Sequence, residues 1–244
     1  MNRFYCKFSD VQGDKIMIGD LKELHHLKDV LRLKSGEKAA IFDDQGNEYL
    51  VKLQNLSAAA AEFSVLEKKN RLNLPKTQIV IACAIPKKSK IDDIIDKLTQ
   101  LGVDRIIPLI TERVIIKLDG DKAVLRHKRW VNIAITASKQ SQRNSVPVVD
   151  PATDFQELIS GSKEFDLKLI PNLAGQRKAL KEVLAKASPK KVMVLIGPEG
   201  DFSDKEIAAA IQAGFIPVTF GDQVFRVETA CLYIASILAY ELTH

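Results

Sequence analysis

The stretch "VLIGPEGDFSDKEI" (Val194–Ile207) passes from a run of apolar residues through a turn into the start of a helix. An uninterrupted apolar strand is typical of a parallel sheet that is buried on both faces. Similar apolar runs alternate with helical segments from residue 78 to residue 242. This β–α alternation predicts an α/β fold with a parallel sheet covered by helices on both faces.

The alternating region contains both continuous apolar runs, typical of buried strands, and segments in which apolar residues recur at helical spacing. Strands are predicted at 78–85, 104–110, 166–170, 191–197 and 217–221, and helices at 91–102, 124–141, 178–187, 203–214 and 229–242. Trp130 lies at helical spacing from Ile133 and Ala134, which predicts a core side chain and not a base-stacking platform.

Residues 1 to about 70 have a different pattern. Short alternating runs predict strands at 15–19, 38–44, 48–56 and 61–69, and "LKELHHLKDVLRL" (21–33) predicts one helix among them. The segment "NRLNLPK" (70–76) has the character of a linker. We therefore expect two domains, a β-rich unit at 1–70 and an α/β unit at 71–244.

Composition limits the classes of protein. The chain has 244 residues, of which 46% are hydrophobic and 27% charged, so it can bury a large core. The net charge of +5 favours polyanionic partners only weakly. The three cysteines, Cys6, Cys83 and Cys231, are widely spaced and suggest neither a disulfide framework nor a metal motif. A reducing cytoplasm is expected.

No segment has the pattern of a signal peptide or a membrane span. The N-terminus "MNRFYCKFSD" lacks a basic and then apolar order. The most apolar segment, "TACLYIASILAYEL" (229–242), is shorter than the roughly 20 residues that a membrane helix needs. It is expected to be a buried closing helix, packed on its own core or on a partner subunit.

The loops after the predicted strands are the natural place for a ligand, because open α/β sheets bind ligands beyond the carboxyl ends of their strands. Neither common phosphate-binding glycine motif is present. Ser203 and Glu206 form a predicted capping box, which accounts for the helix start. It does not account for the segment Gly197–Gly200, which is either a ligand loop or a plain turn.

The segment "FGDQVFRVETA" (Phe220–Ala230) favours the ligand loop. It places the apolar pair Val224 and Phe225 in a loop expected to be exposed. Such residues suit the walls of a site for a flat ring, and Arg226 suits pairing with a carboxylate or phosphate. Thr229 is expected to cap the following helix rather than to act in catalysis.

These two segments, together with "LTQLGVDRIIPLITERVI" (98–115), "RWVNIAITASKQSQRNSVP" (129–147) and "HHLKDVLRLKSGE" (25–37), resemble the bacterial small-subunit (16S) ribosomal RNA uridine-N3 methyltransferases of the SPOUT superfamily. The resemblance covers nearly the whole chain. It implies a PUA-like β-barrel at 1–70 and a SPOUT α/β domain with a C-terminal trefoil knot at 71–244. It also implies S-adenosylmethionine as cofactor, a cytoplasmic homodimer and a closing helix that packs in the dimer.

The resemblance assigns residues by position. The implied cofactor-binding residues are Pro171, Asn172, Ile196, Gly197, Pro198, Glu199, Gly200, Phe220, Gly221, Val224, Phe225, Arg226, Thr229 and Ala230. The chain departs from the family's pattern at several positions. The family usually has a glycine where Asp201 stands, an arginine where Gln223 stands, Ile-Leu where Val224 and Phe225 stand, Glu-Leu-Gly where 100–102 stand, and an acidic residue near Pro171.

Methylation of uridine N3 requires loss of the ring N–H, which a base or a stabiliser of the resulting anion assists. Arg226 is the expected stabiliser or orienting group. Glu228 or Glu199 either accepts the proton or orients the loops, and an equal alternative is that both carboxylates only brace the knot. The catalytic residues expected are Arg226 and Glu228.

The expected partner is small-subunit ribosomal RNA, naked or in an assembled subunit. The residues expected to contact RNA are Arg3, Arg32, Arg126, Lys139 and Arg143. The histidines, His244 among them, show no metal spacing, so no metal is expected. The alternatives are a non-catalytic RNA-binding or ribosome-assembly protein on the same fold, and an enzyme acting on a small phosphorylated metabolite.

Overall fold

The computed structural model describes residues 1–70, 77–86, 90–114, 120–173 and 175–242. The chain divides into two compact units, Met1–Leu74 with Ser138–Val146, and Pro75–Ala137 with Pro147–His244. The first unit therefore includes a short segment from the middle of the chain. Residues 71–76 of the predicted linker (70–76) and His244 lie outside the described residues, and the domain boundary near residue 70 stays a prediction.

The first unit contains one sheet of six strands. The strands are β1 (Arg3–Tyr5), β2 (Val11–Gln12), β3 (Lys15–Ile18), β4 (Lys38–Phe42), β5 (Asn47–Leu56) and β6 (Ala61–Asn70), in the order β1-β4-β5-β6-β3-β2. Only the β1–β4 pairing is parallel. The β5–β6 pairing shifts register at two places, and such bulges bend a sheet. The path stays open between β1 and β2, so the described strands form a curled half-barrel.

The helix predicted at 21–33 begins where expected but is not one regular helix. Asp20 caps α1 (Leu21–His25), because its carboxylate accepts hydrogen bonds from the backbone N–H groups of Lys22 and Glu23 at 2.9 and 3.1 Å. A single π-helical turn, His26–Val30, follows. Leu24 and Leu27 are buried against the sheet's core with Phe4 and Phe63.

The second unit contains a parallel sheet. Its strands are β7 (Gln78–Ala84), β8 (Arg105–Ile110), β9 (Val148–Val149), β10 (Thr153–Asp154), β11 (Leu167–Pro171), β12 (Lys178–Ala179), β13 (Lys191–Ile196) and β14 (Ile216–Thr219). The order is β10-β8-β7-β13-β11-β14-β12, with β9 also paired to β8, and every pairing is parallel. The carboxyl ends of β13, β11 and β14 therefore lie side by side.

Helices cover both faces of this sheet, as predicted. They are α2 (Lys90–Gln100), α3 (Gly120–Gln140), α4 (Phe155–Gly161), α5 (Leu180–Leu184), α6 (Asp204–Gln212) and α7 (Val227–Leu242). Helices α4 and α6 share a core with Ala82 and the other strand residues of one face. Helix α7 packs on α2 and β7, where Cys231 contacts Cys83 on the opposite face.

Some elements differ from prediction. Helix α5 is shorter than the predicted 178–187. Helix α4, which Asp154 caps by accepting from the backbone N–H of Gln156, was not predicted. Trp130 is 1% exposed and belongs to the core, as expected. Across the described ranges, the helices are all too short or too polar to cross a bilayer.

Candidate functional site

The loops that follow β13, β11 and β14 line one cleft at the carboxyl edge of the parallel sheet. This is where an open α/β sheet places a ligand. The expected cofactor residues that line it are Pro171, Asn172, Ile196, Gly197, Pro198, Glu199, Phe220, Gly221, Val224, Phe225 and Ala230. Most of the expected set is therefore brought together, although Gly200, Arg226 and Thr229 lie outside the lining.

The loop after β13 is a tight turn. The backbone N–H of Asp201 donates to the carbonyl of Pro198 at 2.9 Å, which closes the turn over Glu199 and Gly200. Asp201 has φ +62°, a left-handed conformation that glycine adopts more easily. The segment Gly197–Gly200 is therefore part of a turn, and its first three residues, Gly197, Pro198 and Glu199, also line the cleft.

The side chain of Asp201 connects two loops. One carboxylate oxygen accepts from the backbone N–H of Phe202 at 2.8 Å, and the other accepts from the backbone N–H of Leu173 at 2.9 Å. Arg113, from the segment after β8, donates to the carbonyls of Gly200 and Asp201. The loop after β13 is thus held by two neighbouring segments.

The predicted capping box is confirmed. Ser203 accepts from the backbone N–H of Glu206 at 3.4 Å, and Glu206 accepts from the backbone N–H of Ser203 at 2.9 Å. The second oxygen of Glu206 also accepts from the backbone N–H of Glu112 at 2.9 Å. Glu206 is buried, so it joins the start of α6 to the segment after β8.

The loop after β14 supplies apolar and aromatic side chains. Phe220, Phe225 and Tyr233 form a ring cluster with centroids 5.1 to 6.2 Å apart. Val224 is 72% exposed, as the sequence predicted for this loop. Gly221 has φ +115°, which a larger side chain would strain. These residues give the cleft a flat apolar wall.

The loop after β11 supplies a cation that the sequence did not indicate. Arg177 lines the cleft and donates to the carbonyl of Asn172 at 3.1 Å. Among the described lining residues, Arg177 is the single cation, and Glu199 and Asp201 are the anions. Its only sequence signal was a charge near the end of a strand, which many solvated residues share.

The two expected catalytic residues have different surroundings. Arg226 is exposed and precedes α7. Glu228 is paired with Lys90 at 2.6 Å, and the hydrogen bond from Lys90 lowers the pKa of the Glu228 carboxyl. A carboxylate stabilised in this way is a weaker base, which favours the bracing alternative for Glu228.

Thr229 does not cap α7. The helix begins at Val227, so Thr229 lies in its first turn with an exposed side chain. The capping expectation was wrong because the apolar Val227, 2% exposed, anchors the helix two positions earlier than the threonine suggests.

The residues expected to contact RNA divide by exposure. Arg32 and Arg126 are exposed. Arg3 donates to Glu48 at 2.7 Å and to Asn144, and Lys139 pairs with the buried Glu23. Arg143 is half-buried and donates to Ser145 at 3.4 Å. Arg3 and Lys139 therefore already serve contacts within the first unit.

Within the described ranges no three histidine, cysteine or acidic side chains come together as a metal site requires. All three cysteines are buried and free. The lining of the cleft, with apolar and aromatic side chains and a few charged ones, suits an organic ligand with a flat apolar part.

The two units, a parallel α/β unit with a cleft at its carboxyl edge and a small curled β unit, each match a known domain of RNA methyltransferases. The model of an RNA methyltransferase domain matches residues 73–239, and the model of an RNA methyltransferase PUA domain matches residues 18–66. The chain belongs to this family of RNA methyltransferases.

The relatives match between 86% and 99% of this chain. The chain is 30% identical to ribosomal RNA small subunit methyltransferase E of Bacillus subtilis, over 99% of this chain and 97% of that one. It is 33% identical to the protein of the same name from Mesomycoplasma hyopneumoniae, over 86% and 88%. The crystal structure of ribosomal RNA small subunit methyltransferase E from Neisseria gonorrhoeae bound to S-adenosyl methionine has a TM-score of 0.87, at 30% identity over 99% and 98%.

Proposed function

We propose that the protein transfers the methyl group of S-adenosylmethionine to N3 of a uridine in small-subunit ribosomal RNA. The observation that carries the proposal is the cleft formed by the loops after β13, β11 and β14. Support comes from family membership and from the Neisseria relative, whose fold matches this chain and which binds S-adenosylmethionine.

The residues of the cleft fit this cofactor. Its apolar wall of Val224 and Phe225 suits an adenine ring, and Gly197, which lines the cleft without a side chain, allows close approach. Glu199 is a nearby anion for a cationic sulfonium and ammonium, while Arg177 suits the methionine carboxylate. When bound, S-adenosylmethionine supplies an electrophilic methyl group.

The chain's own residues prepare the uracil. Arg226 is exposed beside the cleft, and we assign it to stabilise the anion that forms on uracil as N3 loses its proton. Glu199 is exposed on the cleft wall and is assigned to accept that proton or to orient the base. Glu228 is assigned to brace α7 through Lys90, since its lowered pKa makes it a weak base.

The proposal includes the SPOUT trefoil knot and a homodimer. The knot is supported by the path of the chain: β14 adjoins β11, whereas α7 packs on β7, so the chain crosses the ends of β11 and β13 in between. The dimer is supported by an apolar groove beside α7 lined by Leu180, Leu184, Tyr233 and Ile237.

The proposed RNA contacts are electrostatic contacts between basic side chains and phosphates, and they do not depend on the RNA sequence. Arg32 and Arg126 are free to approach phosphates, whereas Arg3, Lys139 and Arg143 must first exchange contacts within their own unit. The target uridine must leave any stack to reach the cleft. The substrate proposed is small-subunit RNA, naked or in the assembled subunit, in the cytoplasm.

In the test, the protein and labelled S-adenosylmethionine are incubated with small ribosomal subunits from cells that lack this protein. Reverse-transcription stops on the ribosomal RNA are then mapped. N3 methylation blocks base pairing, so the labelled site should arrest copying. Arg226→Ala should keep cofactor binding and lose most turnover. Absence of cofactor binding would instead indicate a non-catalytic RNA-binding protein. Cofactor binding without label or stop on any ribosomal substrate would indicate an enzyme that acts on a small metabolite.

A further inference from the structure

Asp201 adopts a conformation that costs free energy. It is one of three described non-glycine residues with positive φ, the others being Arg32 and Gln142. Aspartate tolerates the left-handed region better than most residues but less well than glycine. Contacts of its side chain can offset this cost.

What the carboxylate provides is a bridge between two cleft loops. It is half-buried and accepts from Phe202 in its own loop and from Leu173 in the loop after β11. Both donors are backbone N–H groups, so each bond fixes main chain rather than a mobile side chain. The bridge sets the spacing between the loops that end the neighbouring strands β13 and β11.

The opposite side of the same turn is fixed as well. Arg113 donates to the carbonyls of Gly200 and Asp201, so the turn cannot follow the β11 loop if that loop moves away. Leu173 is 51% exposed, so burial of its side chain holds its loop in place only in part. The Asp201 bridge is therefore a main restraint on the width of the cleft at this point.

We propose that Asp201 is a positioning residue that preorganises the cleft for S-adenosylmethionine by joining the loops after β13 and β11. The inference rests on the proposed function, because it names the ligand whose affinity the bridge controls. A preformed cleft binds more tightly since less loop entropy is lost on binding. Neither glycine nor an uncharged amide reproduces two acceptor oxygens at this position.

The test compares Asp201→Asn and Asp201→Gly with the wild type, by titration calorimetry with S-adenosylmethionine. Asn tolerates the left-handed backbone but has one acceptor, and Gly relieves the backbone cost but removes the bridge. Both should bind about tenfold more weakly, as expected for losing a charge-assisted bond. KM for S-adenosylmethionine should rise while kcat at saturation stays within about twofold, since the bridge acts on binding.

Asp204→Asn is the matched control, because Asp204 is exposed three positions further on and should leave affinity unchanged. Thermal unfolding without ligand distinguishes a loss of stability from a loss of affinity for S-adenosylmethionine. The unfolding temperature of Asp201→Gly should be no lower than that of Asp201→Asn. Wild-type affinity in both Asp201 variants would overturn the inference and leave the proposed function intact. No binding by the wild type would instead overturn the proposed function.

Discussion

Gly197 and Gly200 show how differently two glycines of one turn are constrained. A Cβ at Gly197 would lie 3.0 Å from the ring of Phe202 and 3.2 Å from the Asp201 carboxylate. Phe202 is 2% exposed and packs on Phe155 at 5.5 Å, so its ring has no free space to enter. A Cβ at Gly200 would meet Arg113 at 3.6 Å, an ordinary contact.

Gly197→Ala should therefore lower the free energy of unfolding by about 1–3 kcal/mol, as overpacking of a dense core does. It should also weaken S-adenosylmethionine binding, because Asp201 would have to shift. Gly200→Ala should change stability by less than about 0.5 kcal/mol. Urea unfolding of the two variants is the measurement, and equal losses would contradict the packing argument.

At the scale of elements, an ion pair joins α2 to α7. Lys90 and Glu228 lie 2.6 Å apart, with side chains 38% and 23% exposed. The second carboxylate oxygen of Glu228 is buried with no partner in the described part of the chain. Removing Lys90 would leave a half-buried charge unpaired at the helix that follows a cleft loop.

Lys90→Ala should lower stability at pH 7 by about 1 kcal/mol, a modest figure because water screens so exposed a lysine. The pKa of Glu228 is lowered in the folded protein, so the pair stabilises the fold above the ordinary glutamate value of 4.5. The difference between variant and wild type should shrink as pH falls below that value. Lys97→Ala, which removes an exposed pair with Asp96, is the control, and unfolding at pH 7 and pH 3.5 is compared.

Helix α3 carries basic residues with two different roles. Arg126 is exposed, whereas Lys139 neutralises Glu23, which is 8% exposed. Arg126→Ala should weaken RNA binding and reduce the slope of log affinity against log salt by about one. Lys139→Ala should instead cost about 2 kcal/mol or more of stability, because a buried carboxylate loses its partner. Filter binding across salt concentrations and urea unfolding distinguish these roles.

At the scale of the whole molecule, α7 has two sides with different chemistry. Ile234, Ala235 and Leu238 are buried, whereas Tyr233 and Tyr240 are 40% and 76% exposed. Tyr233 also packs on Phe220 and Phe225 of the cleft. A second copy of the chain that covers this side would therefore contact Tyr233, which packs on the aromatic residues of the cleft wall.

Tyr240→Glu should convert the proposed dimer to a monomer, because a charge buried in an apolar interface without a partner is strongly unfavourable. The mass measured by light scattering should be twice the chain mass for the wild type and the chain mass of 27.1 kDa for Tyr240→Glu. Val124→Glu introduces the same charge at another exposed hydrophobic residue, 54% exposed on α3, and should leave the mass of a dimer. A wild-type mass of 27.1 kDa would remove the dimer from the proposal.

The elements of the α/β unit were largely predictable, and its cleft only in part. Strands such as β7 and β13 are continuous apolar runs, and the Ser203–Glu206 capping box is a local pattern, so neighbours in sequence specify them. The short strands β9, β10 and β12 were missed because each has two residues and exists only through its partner strand. The half-barrel depends on bulges that leave no clear sequence signal.

The stretch Val194–Ile207 by itself determined a buried strand, a turn and a capped helix, because these depend on hydrophobic period and adjacent hydrogen bonds. The tertiary structure decided what the turn faces. Leu173 lies 28 positions from Asp201, and Lys90 lies 138 positions from Glu228. Contacts over such separations follow from strand order, which no local pattern encodes, so the bridged cleft loops and the braced α7 became apparent only in the folded chain.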